Sequence, residues 1–247
     1  MCHACGDTEH HPSPTRRGFL AMAGAAAALG AFGAGGAIAA DPPKPGTPPP
    51  ANAIAPAAAL ERLKQGNIRY AMNKPAHRDF SAGRAARVQG QWPIAAVLSC
   101  ADSRVAPELL FDQAPGDLFV VRVAGNVVDT DLLASLEYGV QFLGIPLIVV
   151  LGHSGCGAVD AAIKVVKANA QLPGHLPELI AAIKPAAVIA GRLAPNDTLG
   201  YAIAENVRRQ VTRLEASPPI VQKLHREKKI DIVGGVYDIG TGKVAMV

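Results

Sequence analysis

An α/β fold with a mostly parallel central sheet, helices on its faces and an antiparallel edge strand is what this sequence predicts, on three observations. Short apolar runs recur at residues 94–98, 118–123 and 147–151, each the length of a buried strand. Segments of helical periodicity separate them, and strand, helix, strand, helix implies right-handed crossovers between parallel strands. Of 247 residues, 49% are hydrophobic, enough for a sizeable core. Setting aside an N-terminal leader leaves about 200 residues, the usual size of one domain.

Taken in order, the chain opens with a targeting segment. Thr15-Arg16-Arg17-Gly18-Phe19-Leu20 leads into a run from Gly18 to Ala40 without a charged residue, and Ala37-Ile38-Ala39 closes it with small residues at cleavage spacing. Residues 1–39 therefore resemble a twin-arginine export signal, which places the mature protein in the periplasm. The run is rich in Ala and Gly and only weakly apolar, so it suits a cleavable signal better than a permanent membrane span. Cys2, His3, Cys5, His10 and His11 look like a metal cluster, but they precede the twin arginines, in the part that cleavage removes. Residues 40–55 are dominated by Pro and read as an extended linker.

The folded domain is expected over residues 56–247. Leu60, Leu63, Ile68 and Tyr70 alternate with charged residues at helical spacing over 57–72, and Pro75 bars continuation. After the first strand, 107–111 reads as a short helix. Following the second strand, 131–143 carries Leu132, Leu136, Val140 and Leu143 on one helical face. Thr130 is the expected cap of that helix, and Gly144 with Pro146 ends it. The third strand leads into a helix over 158–168. Four prolines between 171 and 196 predict short helices and loops. Helices over 198–215 and 218–226 precede a fourth strand at 230–237, and Gly240 and Gly242 turn the chain into a short antiparallel edge strand at 243–247.

Charge excludes one class of partner. The formal net charge is +4, and the two acids and two bases of residues 1–39 cancel, so the mature part keeps +4. The densest basic stretch, 223–229, lacks the interleaved aromatics of single-strand nucleic-acid binders and reads as a solvated helix face.

The chemistry sits where two strands end. Cys100-Ala101-Asp102-Ser103-Arg104 follows the first apolar run, and Gly152-His153-Ser154-Gly155-Cys156-Gly157 follows the third. Residues beyond the carboxyl ends of neighbouring parallel strands converge on one crevice, so ligands 53 positions apart can meet. Two thiols and an imidazole suit Zn²⁺, and three protein ligands leave a fourth position open, the count of a catalytic site rather than a structural one. A Cys100–Cys156 disulfide is the competing reading, but it leaves His153, Asp102 and Arg104 without a role.

Cys-x-Asp-x-Arg joined to His-x-x-Cys after the next-but-one strand, with Gly on both sides, resembles the β-class carbonic anhydrases, over residues 56–247. The resemblance implies zinc ligation by Cys100, His153 and Cys156, a catalytic dyad of Asp102 and Arg104, and homodimers or dimers of dimers with active sites near the subunit interface. It also implies substrate contacts from the Gln91 amide and the Gly157 N–H, and gives Val123-Ala124-Gly125-Asn126 a structural part, with Gly125 allowing close backbone approach. The expected reaction is reversible hydration of CO₂ to bicarbonate and a proton. Zinc lowers the pKa of its water to about 7, Asp102 accepts the proton of the hydroxide, and Arg104 holds Asp102 by a planar fork. Two alternatives stand beside it: a zinc hydrolase of a sulfur analogue of CO₂, and a non-catalytic zinc or bicarbonate-binding module. His77, His175 and His225 are proton-shuttle candidates by residue type alone.

Overall fold

The computed structural model describes residues 51–247; the leader, the Cys/His cluster at residues 2–11 and most of the Pro-rich linker lie outside them. Five strands form one sheet: β1 (Ala95–Ser99), β2 (Leu118–Arg122), β3 (Leu147–His153), β4 (Asp231–Tyr237) and β5 (Val244–Met246). Their order is β2-β1-β3-β4-β5, with β1 to β4 parallel and β5 antiparallel to β4. Nine helices accompany them among the described residues: α1 (Pro56–Ala71), α2 (Arg84–Gln89), α3 (Pro107–Leu110), α4 (Thr130–Phe142), α5 (Gly157–Ala168), α6 (Leu176–Ala181), α7 (Lys184–Leu193), α8 (Thr198–Glu215) and α9 (Val221–Arg226). No described helix is long and apolar enough to cross a membrane.

Every residue of β1 and β3 is buried, because a parallel strand covered on both faces has no side to give to water; hence their unbroken apolar runs. β2 lies on the edge, and only Leu118 and Val121 of its five residues are buried. The two-residue period of the strands divides the core into two faces. Ala95, Val97, Leu147, Val149 and Leu151 pack against Ala59 and Leu63 of α1 and Leu110 of α3. Ala96, Leu98, Ile148 and Val150 point the other way, onto Leu136 and Val140 of α4 and Val207 and Leu214 of α8. Each fully buried Leu contributes about 2 kcal/mol of burial free energy, so this interleaving fixes the strand register.

The chain crosses from β1 outward to β2 and then from β2 back past β1 to β3, so the direction of winding reverses between β1 and β3. The carboxyl ends of β1 and β3 flank the point where strand order reverses, and a crevice opens there. A third cluster packs around it, formed by Val159, Ala162 and Ile163 of α5, Ala187 and Ala190 of α7, and Ala202 and Ile203 of α8, and it contains Cys100 and Cys156.

Several boundaries differ from those the sequence suggests, for physical reasons. Asp129, not Thr130, caps α4: its Oδ1 accepts from the Leu132 N–H at 2.8 Å, and its charge suits the positive end of the helix. β3 runs two residues further, so His153 belongs to the strand and pairs in register with Tyr237. The helix expected at 218–226 begins at Val221. α2 was not expected at all; none of its residues is buried, so it carries no apolar period to read.

Candidate metal centre

Cys100 comes from the first position past β1, His153 from the last of β3, and Cys156 from the N-cap position of α5. Their ligand atoms lie within 4.8 Å of one another, all three residues are buried, and both cysteines are free thiols. The sulfurs stand 4.0 Å apart, twice the length of a disulfide bond and close to the roughly 3.8 Å between two sulfurs that each sit about 2.3 Å from a tetrahedral Zn²⁺.

His153 is prepared for ligation. Its Nδ1 lies 3.0 Å from the Ser154 carbonyl oxygen, and a carbonyl only accepts, so the ring proton sits on Nδ1 and leaves a lone pair on Nε2. Among the described residues that Nε2 is buried without a hydrogen-bond partner, the kind of orphaned atom a metal would satisfy. The thiols differ: the contact with Cys156 lowers the pKa of Cys100 although burial opposes it, while the same contact and burial together raise Cys156. The pair therefore gives up one proton readily and holds the second. Cys156 gains from its place at the positive end of α5. Two soft donors and one borderline donor in a dry pocket fit Zn²⁺ and do not fit the oxygen-seeking Mg²⁺ or Ca²⁺.

Asp102 and Arg104 form the rim. Arg104 donates from Nε to Asp102 Oδ1 at 2.9 Å and from Nη2 to Oδ2 at 2.7 Å, and its backbone N–H adds a third bond to Oδ1 at 2.9 Å. Hydrogen bonding to Arg104 holds the Asp102 carboxyl far below the usual carboxylate range despite the opposing effect of burial. Oδ1 is saturated, whereas Oδ2 keeps a lone pair and lies 3.8 Å from His153 Nε2, facing the donor cluster.

One residue outside the two motifs braces this loop. Arg122, the last residue of β2, donates from Nε to the Cys100 carbonyl at 3.0 Å and from Nη2 to the Asp102 carbonyl at 2.7 Å. Nothing in its local sequence announces this role, since it reads as one exposed base ending a strand. Gly125 has φ 74°, and its N–H reaches Cys100 Sγ at 3.3 Å. A Cβ there would lie 2.5 Å from Ile183 Cδ1, so the close approach read from the sequence holds and carries a sulfur contact as well.

The remaining residues singled out from the sequence are placed differently. Gly157 is exposed at the first turn of α5, one position past Cys156, with open space beside its Cα. Gln91 is exposed ahead of β1, at the opposite end of that strand from Cys100. His77 and His175 are exposed, and His225 is half-buried, 3.9 Å from Glu215.

Comparison with known proteins agrees with this arrangement. Residues 95–244 match the family described as carbonic anhydrase. Carbonic anhydrase 2 of Mycobacterium tuberculosis is 38% identical over 192 residues, covering 77% of this chain and 92% of that protein. The carbonic anhydrase of Mycolicibacterium smegmatis is 39% identical over 193 residues, covering 77% and 93%. Among solved structures, Coccomyxa β-carbonic anhydrase in complex with acetazolamide superposes with a TM-score of 0.60 at 30% identity, covering 77% of this chain and 85% of that one.

Proposed function

The chain belongs to the β-class carbonic anhydrase family, and from that premise we propose that it converts CO₂ and water to bicarbonate and a proton at a Zn²⁺ held by Cys100, His153 and Cys156. One observation carries the metal assignment: three buried donor atoms lie within 4.8 Å, one of them an imidazole nitrogen with no hydrogen-bond partner among the described residues. When bound, the metal would lower the pKa of the water in its open position toward about 7 and so supply a nucleophile near neutral pH.

The protein's own groups do the rest. Asp102 Oδ2 accepts a hydrogen bond from the nucleophile's O–H and thereby aims the oxygen lone pair at the CO₂ carbon. Arg104 fixes the carboxylate in that pose by its hydrogen bonds to both oxygens, and the same bonds keep it ionised. Arg122 holds the Cys100 and Asp102 carbonyls so that the loop cannot turn away. The exposed Gly157 N–H is free to donate to a substrate oxygen. Gln91 sits at the wrong end of β1 to reach this centre within one chain, so its substrate contact requires a neighbouring subunit of a homodimer or dimer of dimers.

A zinc analysis combined with stopped-flow CO₂ hydration on the purified mature chain tests the proposal. About one zinc per chain and rapid hydration are expected; a zinc-loaded chain that leaves CO₂ untouched, or that hydrolyses a sulfur analogue in its place, overturns it. We further propose export by the twin-arginine route to the periplasm, on the sequence of residues 1–39. Replacing Arg16 and Arg17 together by Lys should then leave unprocessed precursor in the cytoplasm with its zinc site intact, as fractionation and immunoblotting would record.

A further inference from the structure

Helix α8 carries two amides in the middle of a largely apolar buried face. Asn206 and Gln210 are 1% and 3% exposed, flanked by Ala202, Ile203, Val207 and Leu214. Buried amides in such a setting are costly unless paired, and these two spend their hydrogen bonds on one loop. Asn206 Nδ2 donates to the Gly125 carbonyl at 2.8 Å. Gln210 Oε1 accepts from the Val128 N–H at 2.9 Å, and Gln210 Nε2 donates to Asn206 Oδ1 at 3.3 Å. The loop they grip has two successive residues at positive φ, Gly125 at 74° and Asn126 at 45°, a conformation that a free segment would leave readily. On its other side the same Gly125 gives its N–H to Cys100 Sγ.

We propose that Asn206 and Gln210 are positioning residues of the metal centre. They act through the turn at Gly125: α8 holds the Gly125 carbonyl and the Val128 N–H, pinning the turn whose Gly125 N–H gives the Cys100 sulfur a fixed donor. A hydrogen bond from a backbone N–H draws charge off a thiolate and restricts where its lone pairs point, and outer-sphere partners of this kind alter metal affinity by roughly 10- to 100-fold. The inference rests on the assignment of Cys100 as a zinc ligand.

Two readouts on the mature protein separate this role from plain packing: the rate at which bound zinc passes to a chelator, and the thiolate-to-metal charge-transfer band of the Co²⁺-substituted protein. Asn206→Ala should release zinc about tenfold faster or more and shift the band. Gln210→Glu keeps the acceptor for Val128 but loses the donor to Asn206, so it should act in the same direction by less, and it serves if Asn206→Ala does not fold. Leu214→Ala, on the same helix and in the same core, is the control; it should lower the thermal midpoint without moving either readout. Parental release and an unmoved band in Asn206→Ala and Gln210→Glu, or equal changes in Leu214→Ala, would overturn the inference. Absence of a thiolate band in the parent protein would instead overturn the ligand assignment on which it rests.

Discussion

Cys100, His153 and Cys156 are 4%, 0% and 1% exposed, whereas the side chains of Asp102 and Arg104, two and four positions past Cys100, keep 18% and 55% of their surface in water. The two halves of one centre are therefore held by different forces. The donor half is fixed by packing: its residues stand at the ends of fully buried strands or at a helix start, against Val159, Ile183 and Ile203. The rim half is fixed by charge-assisted hydrogen bonds within a five-residue turn and by Arg122 from the next strand. Substitutions on the donor side should thus change metal content and stability, and those on the rim should change chemistry while leaving metal and fold in place.

The largest effect expected is loss of the metal. Cys156→Ser should retain little of the roughly one zinc per chain expected of the parent, because a hydroxyl at that position is a poor ligand for Zn²⁺ compared with a thiolate. Elemental analysis after gel filtration checks this, and full zinc in the variant would erase the distinction between the two halves.

Asp102→Asn comes next. It preserves shape but removes the anionic acceptor, so zinc should remain while CO₂ hydration falls on the order of 10²-fold. Stopped-flow rates with zinc content measured on the same sample provide the test; parental activity would make the rim a structural ion pair and nothing more.

Arg104→Ala should lower activity less, on the order of tenfold, again with zinc retained. It leaves the Asp102 carboxylate, whose Oδ2 already lies 3.8 Å from His153 Nε2, free to turn toward the metal. X-ray absorption should then record a carboxylate oxygen, with its carbon beyond, in the open position of this variant, where a water oxygen alone is expected in the parent. A parental spectrum would refute the restraining role of Arg104.

The smallest effect concerns pH. Arg104 depresses the Asp102 pKa below its unfolded value of about 3.9, and a depressed group contributes its ion pair fully above that value and loses it only as pH falls through the lower, folded one. Between pH 6 and 9 Asp102 therefore stays ionised, so its own titration should add no inflection to the hydration profile in that range, and Asp102→Asn should lower the profile without removing an inflection. An inflection between pH 6 and 9 that is present in the parent and lost in Asp102→Asn, measured by stopped flow across that range, would show that Asp102 titrates where the enzyme works.

The order of strands and helices from 94 onward was legible in the chain's own residues, as were the cluster of Cys100, His153 and Cys156 and the Asp102–Arg104 pair, because each is written locally. Buried parallel strands leave unbroken apolar runs, amphipathic helices leave a 3.6-residue period, and soft donors at strand ends are chemically unlike their neighbours. The tertiary structure alone decided the rest. α2 buries nothing and so leaves no pattern; Arg122 and Gly125 meet Cys100 only because β2 lies beside β1. Asn206 and Gln210 read in sequence as ordinary polar positions of an amphipathic helix, yet packing turns them inward to a loop about 80 residues earlier. The placement of Gln91 at the far end of β1 is likewise a matter of strand direction and not of spacing along the chain. Local periodicity encodes which segments are buried, and only the packing of distant segments against one another decides which buried polar atoms meet.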